Sequence, residues 1–123
     1  MRNRFQHLRR DERGMTMAFV AIGFMTFLTA TTLAIDVGMF MAARSQAQNA
    51  ADSGALAGAI ALGFNDFDNP TATGPAVSAA ISAAQANVMI GSPPSVVPTD
   101  VTFPTDPAGN PTRVHVAVYR NDA

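Results

Sequence analysis

Few side chains in this sequence are of a type that does chemistry, and their spacing sets what they can do. Asp66-Phe67-Asp68-Asn69 has the look of the opening of a calcium loop, which needs glycine at its sixth position and glutamate at its twelfth. Those places hold Thr71 and Val77, so the segment reads as a turn. His7 and His115 stand on either side of a long apolar run and cannot share a site. His115 alternates with valines and falls on the polar face of a strand, in solvent. Asp36 sits just past the apolar run, where a carboxylate either meets a base on a partner or lies among lipid headgroups. Cysteine is absent, which removes disulfides, thiolate metal sites and cysteine nucleophiles. The glycine patterns of phosphate-binding loops, the HExxH zinc pair and the GxSxG nucleophile elbow are also missing. No catalytic, metal or cofactor residues are therefore expected.

The element that must carry Asp36 is the apolar run itself. Met15 to Ile35 is 21 residues without a charge. As a helix it is about 32 Å long, enough to cross a hydrocarbon core of roughly 30 Å. Phe19, Ile22, Phe24, Phe27, Leu28 and Leu33 give it bulk on every side. A core helix of a soluble protein normally shows a polar stripe, and none is present. Five threonines interrupt the run, and in a helix their hydroxyls bond back to carbonyls one turn earlier.

Charge sets the direction. Ahead of the run, Arg2, Arg4, Arg9, Arg10 and Arg13 stand against Asp11 and Glu12, a balance of +3. Behind it, seven aspartates stand against Arg44, Arg113 and Arg120, a balance of −4. Arginines beside a span stay on the cytoplasmic side, so the N-terminus is expected inside and the rest outside. A basic arm can also bind nucleic acid, but its place against an apolar span favours the membrane. The run exceeds the usual apolar core of a cleaved signal, and Leu33-Ala34-Ile35 is a poor cleavage site, which predicts a retained signal-anchor.

Four regions follow: a basic cytoplasmic arm (1–14), a transmembrane helix (15–35), a small-residue stem helix (36–63) and a small extracytoplasmic α+β region (64–123). With little aromatic area to bury, the outer part is expected to be marginally stable alone. The stem is rich in alanine, the best helix former, and no proline intervenes before Pro70. Ala43, Ala47, Ala50, Gly54, Ala57 and Ala61 recur at 4, 3, 4, 3, 4, the repeat of a helix-packing seam. Small seams let another helix approach closely. An ordinary alanine-rich helix would also place small residues here. Gln46, Gln48, Asn49, Asp52 and Ser53 lie off the seam. Gly63 is a possible cap.

After the turn at 65–70, a second helix is expected from near Thr73, with Pro75 in its first turn and Val77, Ile81, Ala84 and Val88 on one face. Pro93, Pro94 and Pro98 predict an extended linker. Val101-Thr102-Phe103 and Thr112 to Tyr119 read as a hairpin around a turn at Pro104 to Pro111, with Val114, Val116 and Val118 on one face. The fold class is thus membrane-anchored α+β: a long N-terminal transmembrane and stem helix, a short helix and a C-terminal β-hairpin.

Taken in order, Arg13-Gly14, the apolar span, Ala34-Ile35-Asp36-Val37-Gly38-Met39-Phe40, Arg44, Gln48 and Ala50-Ala51-Asp52-Ser53-Gly54-Ala55-Leu56-Ala57-Gly58-Ala59 resemble the N-terminal domain of TadG-like Flp pilus-assembly proteins. The resemblance covers Asp11 to Ala61. It implies a bacterial inner-membrane component of tight-adherence pilus assembly, related to the TadE/TadG-like minor pseudopilins and without catalytic activity. Arg13, Gly14, Asp36, Gly38 and Asp52 are the motif and membrane-junction residues it carries over. Three features depart from the pattern: Ala47 replaces a frequent leucine, Phe19 stands where a class-III leader has glutamate, and these 123 residues hold no counterpart of the von Willebrand-type domain of many relatives.

The expected function is a membrane-anchored, pseudopilin-like structural component of Flp pilus assembly that acts by helix packing. Its partners would be the lipid bilayer and other pilus-assembly or pilin-like membrane subunits, with no nucleic acid and no small-molecule substrate. The alternative is a single-span anchor or sensor subunit with a small extracytoplasmic binding domain. An enzyme would need a motif that the chain lacks.

Overall fold

The computed structural model describes residues 12–65, 71 and 73–120, with side chains from Gly14 onward. Residues 1–11 of the arm expected at 1–14, and residues 66–70 of the turn expected at 65–70, lie outside the described residues, and residues 12–14 of the arm are already helical. Contacts divide the chain into two compact units, Met1–Phe40 and Met41–Ala123.

The first element is the α-helix α1, Glu12–Phe64. Alanine, leucine and methionine keep it continuous, and Gly63 lies inside it rather than capping it: the Asn65 N–H still reaches the Ala61 carbonyl at 2.9 Å. In the first unit every side chain from Gly14 to Phe40 is exposed, phenylalanines and leucines included. The hydroxyls of Thr26, Thr29, Thr31 and Thr32 donate to the carbonyls of Ile22, Met25, Phe27 and Leu28 at 2.9–3.0 Å. Each threonine thereby satisfies its own polar group and leaves the apolar surface unbroken. By length and composition this helix is able to cross a membrane.

The second unit has a core of small and β-branched residues. The helix α2, Pro75–Gln85, starts with proline in its first turn, where the missing N–H costs nothing. It buries Ala76, Val77, Ala80 and Ala84. The expected face through Val77, Ile81 and Ala84 is present, but α2 stops before Val88, which is 57% exposed. The Asn87 side chain donates to the Ala83 carbonyl at 2.9 Å and so competes with further helical bonding.

A short 3-10 turn, Pro98–Asp100, leads into the antiparallel pair of β1, Val101–Thr102, and β2, His115–Val116. Val101 faces Val116 and Thr102 faces His115. These strands are shorter than the alternation suggests. Phe103 and the ends of the 112–119 segment fall outside the regular ladder, because Pro98, Pro104 and Pro111 supply no N–H to extend it. Single bridges continue the pairing instead, Ser95 to Tyr119 and Thr105 to Pro111. The proline-rich linker thus forms part of the sheet edge. Val116 is buried, Val114 and Val118 are half-buried, and His115 is exposed, as alternation requires.

Candidate interaction face of the long helix

Within the second unit, the residue types along α1 decide how closely other elements approach. Ala50, Gly54, Gly58, Ala61 and Leu62 are buried. A Cβ on Gly54 would meet the Ala80 carbonyl oxygen at 2.9 Å, the Ala84 Cβ at 3.1 Å and Val116 Cγ1 at 3.3 Å. One on Gly58 would meet the Ala80 Cβ and Val114 Cγ1 at 3.1 Å and the Ala76 carbonyl oxygen at 3.2 Å. The chain's own α2 and β2 therefore rest on the glycines, backbone against backbone.

Of the expected seam, Ala50, Gly54 and Ala61 are buried in this contact, while Ala43, Ala47 and Ala57 are half-buried. Gly58, which the 4-3-4 spacing skips, is as close to α2 as Gly54. The Gly54–Gly58 separation of four residues, a small-xxx-small pair, was the signal for it. Gln46 was also missed. Its side-chain oxygen accepts the Ile90 N–H at 2.9 Å, tying a tight turn to α1. In that turn Met89 and Ser92 exchange backbone hydrogen bonds, and Ile90 and Gly91 have φ of 46° and 84°. The left-handed region is strained for a β-branched residue, and isoleucine gives no turn signal in sequence.

The motif residues do not form one site. Gly14, Asp36 and Gly38 are exposed in the first unit, and no atom stands within 4 Å of a Cβ built on either glycine. The Arg13 side chain is not among those described. Asp52 is exposed in the second unit, on the same helix as exposed Arg44. Arg44, Gln48 and Asp52 edge an open groove of about 430 Å³ floored by Ala47, Ala51 and Ala55 and bounded by the Val114–Val118 segment. A second shallow groove, with Ser45 and Asn49, lies on the other side of the same row.

Ionic chemistry is sparse. Among the described residues there is no group of three histidines or carboxylates able to hold a metal ion. The Asp106 carboxylate accepts the Ala108 and Asn110 N–H groups at 2.9 Å. The Asn110 backbone N–H, the largest influence, holds the Asp106 carboxyl below its ordinary value. This cluster closes the 104–111 loop, where Gly109 has φ of 90°.

One long helix is exposed and apolar in its first part and packed by a small α+β cap in its second. Residues 14–61 match the family described as putative Flp pilus-assembly TadE/G-like, which supports the resemblance to TadG-like Flp pilus-assembly proteins. The match ends at Ala61, on the last residue of the seam. The family is structural rather than catalytic. No curated protein and no solved structure was found to match the chain.

Proposed function

We propose that this chain is a membrane-anchored, pseudopilin-like structural component of Flp pilus assembly. The observation that carries the reading is the coincidence of the family match at 14–61 with a helix whose residues 15–35 are all exposed and carry no charge. Such a surface is stable in lipid and costly in water. The +3 arm keeps the N-terminus in the cytoplasm and leaves the second unit in the periplasm, at the bacterial inner membrane. Its partners are lipid and other pilus subunits, met through exposed faces of α1, since the middle of the small-residue seam is covered by α2. Reporter fusions test the topology: a periplasm-active reporter that works at residue 10 and fails at residue 100 refutes it.

Asp36 is the junction residue of this reading. It is exposed on α1, at the end of the apolar run, where the cost of a charge has fallen from its mid-bilayer value. Asp36→Ala is expected to insert normally and to lower pilus-dependent adherence through loss of a pairing with a neighbouring subunit. Membrane fractionation and an adherence assay on the same strain measure both. Full adherence with normal insertion leaves Asp36 as a headgroup anchor only.

A further inference from the structure

The strand β2 has one open edge, because only β1 pairs with it. The Ala117 N–H donates to the Asp100 carbonyl at 2.9 Å, and Tyr119 and Ser95 exchange both bonds at 2.8 and 3.1 Å. Along an antiparallel strand such residues alternate between its two sides. The N–H and carbonyl groups of Val116 and Val118 therefore point to the open edge, and none of the described residues bonds to them. This edge bounds the open groove of about 430 Å³ that Arg44, Gln48 and Asp52 edge and Ala47, Ala51 and Ala55 floor. The groove lies wholly in the second unit.

We propose that the groove takes an extended segment of a partner protein, added antiparallel to β2, that reads acid, any residue, small apolar residue, any residue, base. An open strand edge supplies main-chain donors and acceptors for such an addition. The alanine floor favours small side chains on the face of the segment turned to α1. The charges at the rim set the ends. Arg44 and Asp52 are exposed, and neither has an ion-pair partner among the described residues. Eight helical residues place them about 12 Å apart, and residues i and i+4 on one face of a strand are about 13 Å apart. Direction sets the order. Val116 lies by Gly54 and Val114 by Gly58, so β2 runs against α1. A segment antiparallel to β2 runs with α1 and meets Arg44 before Asp52, which puts the acid first. Nowhere in the 123 residues does a base follow an acid by four, so a second copy cannot supply the segment. The inference concerns the second unit and does not depend on membrane anchoring.

The probe is a labelled threonine-rich peptide with glutamate, alanine and arginine at alternate positions. Its binding to the full-length chain in detergent micelles is read by fluorescence anisotropy. The peptide with glutamate and arginine exchanged should bind about five-fold or more weakly, since two exposed pairs become two like-charge contacts. Arg44→Glu with Asp52→Arg should invert that preference. N-methylation of the peptide's alanine, which faces a hydrogen-bonding residue of β2, should abolish binding on the parent chain. No saturable binding of the first peptide, equal binding of the exchanged one, or binding that survives N-methylation overturns the inference. None of these results bears on whether α1 spans the membrane, which the reporter fusions decide.

Discussion

The two parts of α1 obey opposite rules of side-chain size. From Gly14 to Phe40 the helix carries large apolar residues on all sides, and none is buried by the chain. From Met41 to Phe64 it carries alanine and glycine where α2 and β2 lie against it, with large residues such as Leu56 and Phe64 exposed. Size therefore tracks what the surface meets. A face that nothing in the chain covers accepts any apolar shape, so bulk is free to vary there. A backbone at van der Waals distance accepts only hydrogen or methyl.

Glycines give the sharpest way to break this comparison. Gly54→Leu drives a side chain into the Ala80 backbone, which cannot yield as a flexible side chain does. Overpacking of this kind costs about 3 kcal/mol or more, and the second unit is expected to lose its cooperative thermal transition. Gly23→Leu, with nothing within 4 Å, should leave that transition unchanged. If both variants melt like the parent, the glycine contact with α2 is not structural.

Charge placed on each half sharpens it from the other side. Leu28→Arg puts a cation near the middle of the apolar run, at a cost of about 3 kcal/mol on insertion scales. It should shift much of the chain out of the membrane fraction. Leu56→Arg, on an exposed position of the second unit, should fractionate like the parent. Equal behaviour of the two would remove the distinction between lipid-facing and water-facing leucine.

A smaller effect is expected at Gln46. Removing its side chain by Gln46→Ala takes away the acceptor of the Ile90 N–H, a loss of about 1 kcal/mol felt locally. Hydrogen exchange at 89–92 should accelerate while α2 stays protected. Protection unchanged at Ile90 would mean the contact does not hold the turn.

The smallest concerns Asp106. Its carboxyl is held below the ordinary value when folded, so its contribution is present above the unfolded carboxylate range and is lost as pH falls through the lowered folded value. Asp106→Asn should flatten that acid limb slightly. A parent and variant with identical acid melting curves would count against the loop's role.

Much of the backbone was legible because its signals are local. The apolar run and the alanine-rich stem fix α1, Pro75 and the 4-3 spacing place α2, and alternating valines place the 112–119 strand. Strand length was overestimated because each proline removes a ladder donor that hydrophobic pattern does not register. The contacts that organise the second unit were less visible. A 4-3 repeat marks small residues but not what covers them, so the occupation of Gly54 and Gly58 by α2 needed the fold. The Gln46–Ile90 bond joins residues 44 apart, and an Ile-Gly turn announces itself by no residue preference.

Four of the five threonines of the apolar run have a consequence for recognition. Each hydroxyl already spends its proton on its own helix. A group so occupied gives an approaching helix little reason to prefer one rotation about the long axis over another.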